Sequence, residues 1–159
     1  MHVGMMALIA VQAATDSTAR NERRFSEMPK LAPCAFEQPA KQALSFRELP
    51  DQVVAELSRF FGPVGGLADA HGAFNRTDVV EDRSVPQRRF VRAYFVRDVW
   101  LIWYEQGGFG YELRTLALTR GFGDQRGRTF RATPGSSFTG DLCVASKAFL
   151  AGVRSSGPE

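Results

Sequence analysis

The hydrophobic pattern changes period once along the chain. Between Pro50 and Phe61, the apolar residues Val53, Val54, Leu57, Phe60 and Phe61 recur at the i, i+1, i+4, i+7, i+8 spacing of one helical face. Pro50 suits the first helical position, Asp51 favours the positive N-terminal end, and Gly62-Pro63 stops the helix. "SFRE" at 45–48 matches a capping box, but a start there would put Pro50 in the second turn, where its ring and missing N–H are costly. The predicted helix therefore covers 50–61.

After the glycine-rich stretch Gly62–Gly72, the pattern becomes that of strands. Segments 88–96 (RRFVRAYFV), 99–105 (VWLIWYE) and 109–118 (FGYELRTLAL) are rich in aromatic and β-branched residues and are separated by turn residues. The links Arg97-Asp98 and Gln106-Gly107-Gly108 are too short for parallel crossovers, so the three form an antiparallel meander. A short strand is predicted at 74–80 and an edge strand at 128–132. A second helix is expected over 142–153, with Asp141 as N-cap and Leu142, Ala145, Phe149 and Val153 as its stripe. The fold class is α+β: a meander sheet of three to five strands between an N-terminal and a C-terminal helix.

The central strand departs from simple alternation. Trp100, Ile102 and Tyr104 point one way, Val99, Leu101 and Trp103 the other, so both of its faces need cover. If both helices lie on one side, the other face must meet loops, another subunit or a ligand.

Length and composition of the 159-residue chain fit one domain, taken as 45–154, with a flexible leader over 14–44 and a disordered tail over 155–159. Val3–Val11 is an apolar run of signal-peptide length, and Val11-Gln12-Ala13 suits cleavage, so 1–13 reads as an export signal. No Lys or Arg precedes the run, and Arg20, Arg23 and Arg24 lie behind it. The expected location is the periplasm or the exterior; a cytoplasmic protein starting elsewhere, for example at Met28, is the alternative. Cys34 and Cys143 stand near the margins of the predicted domain, as a tether between N-terminal arm and C-terminal helix would. In the chain-entropy model a loop of that length stabilises by about 4.7 kcal/mol. The apolar run is too short to span a bilayer, which takes ~20 residues, so stable membrane insertion is not expected.

Charge adds a second functional reading. Residues 83–131 hold ten arginines against four acids, while the net charge of the whole chain is +3. Arg126, Arg128 and Arg131 surround Phe130, which interleaves charge with a stacking surface as in nucleic-acid-binding modules.

Familiar catalytic motifs fail on particular residues. "GGFG" at 107–110 leads into a strand rather than a helix N-terminus, so its glycines read as a hairpin turn and not as a phosphate cradle. "GFGDQRGRT" has Phe122 where a phosphate-binding loop needs its first glycine, and "GSSFTG" has Thr139 where a nucleophile elbow needs its last. Two histidines and two distant cysteines give no zinc spacing, and no cofactor motif is present. A small enzyme would have to use His71 with Asp69 or Asp78, or a carboxylate pair such as Asp78 with Glu105 or Glu112.

Three functions follow, in order of preference. The first is a non-enzymatic binding or accessory protein that presents Trp103, Tyr104, Phe109 and Tyr111 to a protein or small-molecule partner. The second is a nucleic-acid-binding module using Arg126, Arg128 and Arg131. The third is an enzyme with His71 in a cleft.

Overall fold

The computed structural model describes residues 27–62, 66–79, 83–121 and 129–156. The export reading of 1–13, the first part of the leader, Arg126 and Arg128 lie outside them.

The sheet comprises β1 (Lys41–Ala43), β2 (Arg88–Val96), β3 (Val99–Gln106), β4 (Glu112–Arg120), β5 (Phe130–Ala132) and β6 (Phe138–Thr139). The strands β1 to β5 pair in chain order, all antiparallel, and β6 shares the outer edge of β4 with β5. Helix α1 (Asp51–Phe61) precedes the long strands and α2 (Leu142–Leu150) closes the fold. This is the α+β meander expected from the pattern, with shifted margins. Pro50 is the N-cap of α1 rather than its first residue. The stretch 74–79 is not a strand, α2 ends at Leu150 and not at Val153, and β4 begins at Glu112 rather than at Phe109.

The two helices lie on opposite faces of the sheet. On one face α1 packs Val53, Leu57 and Phe61 against Phe90, Trp100, Ile102, Leu116 and Phe130. On the other, α2 packs Leu142 and Phe149 with Val91, Leu101, Trp103 and Ala117. The described part of the expected leader also belongs to the fold. Met28, Leu31 and Phe36 cover the α2 face, and Lys41–Ala43 pair with β2. Burying a large apolar side chain contributes about 1.5–3 kcal/mol, and an arm that covers aromatic residues gains enough to be ordered.

Polar anchors fix these layers. Trp103 Nε1 donates to Ser146 Oγ at 2.8 Å, tying β3 to α2. Cys34 N donates to Tyr94 Oη at 3.0 Å, and the Cys34–Cys143 disulfide joins the arm to α2 across 109 residues. Such bonds form and persist in oxidising compartments, so the bond points to a non-cytoplasmic environment. The Asp141 carboxylate caps α2 by accepting from Cys143 N and Val144 N.

Opposite β5, Glu56 is a buried carboxylate in an otherwise apolar stripe of α1. It accepts from Arg59 Nε at 2.7 Å, Arg59 Nη2 at 2.6 Å, Arg131 Nη1 at 3.1 Å and Ala132 N at 2.8 Å. It thereby caps the outer N–H of an edge strand and locks that strand to the helix. Burial works to raise its pKa, but the hydrogen bonds from Arg59 and Ala132, with the charges of Arg59 and Arg131, outweigh it and hold the carboxyl below its ordinary value.

The β2–β3 turn has Arg97 at φ 50° and Asp98 at φ 66°. Positive φ at both central residues is the type I′ geometry that suits hairpin twist and favours Asn-Gly. Replacing Arg97-Asp98 by Asn-Gly should therefore raise stability by about 1 kcal/mol, read as a higher urea midpoint. The exposed Asp98–Arg120 pair, at 3.5 Å, is too weak to reverse that gain.

Glu56→Gln should cost about 2 kcal/mol at pH 7, because a charged acceptor in a buried network is lost. The depressed folded pKa makes this contribution full above the ordinary value of 4.5 and removes it as pH falls through the folded value. Urea midpoints of wild type and variant should therefore converge below pH 4.5.

Candidate functional site

At one end of β3, the glycines of "QGGFGYE" serve two distinct purposes. Gly107 N donates to Gln87 O at 2.7 Å and Gly108 N to Arg76 O at 3.3 Å. A Cβ on Gly107 would overlap Asn75 O and lie 2.9 Å from Arg76 Cα. Gly107 is therefore a seat on which the 74–76 backbone rests. The expected hairpin role falls to Gly108 and Gly110, with φ of 107° and 91°. Because the turn takes in Gly107–Tyr111, β4 starts late. The incoming loop is held further by Asn75, whose N donates to Pro86 O and whose side-chain amide donates to Val85 O.

Behind this seat a line of stacked and hydrogen-bonded side chains runs from the interior to the surface. Phe74 is fully buried beneath the Arg89 guanidinium, 4.4 Å from ring centre to Cζ. Arg89 Nε donates to Glu105 Oε2 at 2.6 Å, and both side chains are 1% exposed. Tyr111 Oη donates to the other carboxylate oxygen, Oε1, at 2.8 Å. Arg76 caps the line, its Cζ 4.1 Å from the Tyr111 ring centre. Burial, and then the hydrogen bond to the Glu105 carboxylate and its negative charge, push the Tyr111 hydroxyl up to about 12, against the opposing charges of Arg76 and Arg89. Tyr111 therefore stays a neutral donor at physiological pH.

The register that creates this line depends on a β-bulge. Pairs run Val96↔Val99 through Arg92↔Trp103, then shift so that Phe90 faces Tyr104 and Arg89 faces Glu105. An unbroken hairpin would set Arg89 against Gln106. The extra residue returns Phe90 to the α1 face and turns Arg89 inward to its carboxylate partner.

In front of the line lies a cleft of about 380 Å³, bordered by Arg76, Thr77, Asp78 and Gly108–Tyr111. Phe109 stands at its rim and is 99% exposed. Of the aromatic residues expected to bind, the structure brings together Phe109 and Tyr111. Trp103 and Tyr104 are buried on opposite faces of β3, the first bonded to Ser146 and the second edge-on to Phe61 at 5.0 Å. Burial raises the Tyr104 pKa; its hydrogen bond with Ser137 and the nearby Arg114 and Arg88 work against the rise. Neither residue contributes to the rim.

Among the described residues, those of the other two readings are dispersed or engaged, as are further arginines of the basic block. Arg131 pairs with Glu56, Arg89 with Glu105, Arg88 Nε donates to Gln106 Oε1, and Arg92 donates to Leu31 O. His71 is exposed on a turn at φ 63°. Its neighbour Asp69 spends Oδ1 on Phe46 N and Ala70 N. Glu105 is enclosed, and Glu112 is bound to Arg114 at 2.8 Å, so neither offers Asp78 a free carboxylate partner. Among the described residues, no group of three or more His, Cys, Asp or Glu could hold a metal ion, and no helix is long and apolar enough to cross a membrane.

What this arrangement can do is bind. The loop sets the exposed Phe109 ring beside the side chains of Arg76, Asp78 and Tyr111. Sequence reasoning overlooked Arg76 and the Arg89–Glu105–Tyr111 line. Opposite charges on adjacent strands were the available signal, but the bulge displaces them from the simple register.

Gly107→Ala should destabilise the fold by about 3 kcal/mol or more, since the overlap is with backbone. Phe109→Ala should stay within about 0.5 kcal/mol of wild type. Denaturant melts of the two variants separate a structural glycine from a ring exposed at no structural gain. Compared with family models, curated proteins and solved structures, the chain matches none, so the meaning of this site rests on its own geometry.

Proposed function

We propose that the chain is an exported, non-enzymatic binding protein whose partner surface is the Arg76–Asp78 and Gly108–Tyr111 cleft. The observation that carries this reading is Phe109, 99% exposed on a loop whose base is tied down by Gly107, Gln87 and the Tyr111–Glu105 bond. An apolar ring carried on a backbone already held in place leaves less backbone entropy to be lost on binding, which favours affinity for a protein or small-molecule partner. Export to the periplasm or exterior is supported by the apolar start of the chain and by the disulfide. The nucleic-acid reading has weaker support, because Arg131, the described one of its three arginines, is paired with Glu56 within the fold.

The test is a photo-crosslinking amino acid placed at position 109 and, separately, at Val144, an exposed control on α2. In native cells, position 109 should yield a discrete adduct that position 144 does not. Identical adducts at both positions, or none at 109, would overturn the binding surface. A mature N-terminus at Met1 together with two free thiols would overturn export.

A further inference from the structure

A second recess opens at the other end of β3, between the N-terminal arm and the end of α2. It has a volume of about 310 Å³ and is lined by Phe36, Val96 and Leu150 with Glu37, Arg97 and Lys147. That volume lies within the range of small-ligand sites, about 300–1,000 Å³.

Three observations separate it from an ordinary crevice. Its lining comes from three different elements, the arm, β2 and α2, with Phe36 and Leu150 supplying the apolar surface over the buried Val96. The disulfide fixes the arm to α2 two residues before Phe36, so the opening has a covalently held wall. Its two cations have no ion-pair partner among the described residues, although each sits where one would be expected to serve the fold. Lys147 is in the last turn of α2, a position that answers carbonyl charge. Those carbonyls are already satisfied: Lys147 O accepts from Ala151 N, Ala148 O from Val153 N, and Phe149 O from Gly152 N and Arg154 Nη1. Arg97 occupies a left-handed turn position, φ 50°, that Asn or Gly fills at lower cost. A non-glycine residue in this conformation at a rim points to a role beyond the turn.

From this geometry we infer a binding site for a small amphipathic monocarboxylate: its apolar body lies on Phe36 and Leu150, and its carboxylate meets Lys147 and Arg97. Glu37 on the same rim leaves the local charge at +1, which suits one carboxylate and disfavours a second. The site is independent of the Phe109 loop, at the opposite end of the same strand.

The experiment is an amide-NMR titration of the oxidised protein with octanoate, and with 1-octanol as the uncharged analogue of equal chain length. Saturable shifts should cluster at Val96, Arg97, Lys147, Leu150 and Ala151. Octanol should bind about fivefold more weakly, and Lys147→Ala should weaken octanoate by a similar factor. The Arg97→Asn/Asp98→Gly variant is the more informative, because it should be more stable and yet lose affinity for octanoate. Equal binding of octanol and octanoate, full affinity in both variants, or the absence of saturable shifts at this recess would each overturn the assignment.

Discussion

Strand β3 has no solvent face. Six of its eight residues are buried, and a strand of this kind is stable only if both sides of its sheet are covered. The chain meets the requirement by sending α1 to one face and α2, reinforced by the arm, to the other. The disulfide follows from the same requirement, since it joins the two segments that share the second face. Most of the molecule can be understood as cover for Trp100–Tyr104.

Within that apolar sandwich, two buried carboxylates stand where backbone or loops would otherwise be loose. Glu56 closes the outer edge of β5 against α1, and Glu105 anchors Arg89 and Tyr111 beneath the 74–76 loop. Neither is free to act as an acid or base. Each is surrounded by donors, the condition under which a buried charge is tolerated. Their role is to specify position: one fixes an edge strand, the other the 74–76 loop and Tyr111. Ser136 does comparable work without charge, its Oγ accepting from Ala117 N in the gap between β5 and β6.

Both candidate binding regions sit at the ends of β3, where a doubly covered strand must emerge from its layers. At the 107–111 end, glycines allow the backbone to turn and a second loop to lie on it, leaving Phe109 outside. At the 97–98 end, a tight turn in left-handed conformation carries Arg97 to the rim of the arm–α2 recess. The buried centre is scaffold and the exposed ends are loops, the places where binding residues are usually carried.

Local pattern was sufficient for the long elements, though not for the short strands β1 and β6 or for 74–79, which is no strand. The period-3.6 stripe of α1, the apolar runs of β2 to β4, the short links that enforce a meander and the opposed faces of β3 are all properties of neighbouring residues, and the fold honours them. Pairing of Cys34 with Cys143 was legible as a tether from position alone. What needed tertiary structure was everything that depends on register or on distant backbone. The bulge after Phe90 decides that Arg89 meets Glu105, the close approach of Asn75 decides that Gly107 is a seat, and the choice of opposite faces by the two helices decides that Trp103 and Tyr104 are core. Periodicity says which way a side chain points from its own strand; only packing says whether anything stands there to meet it.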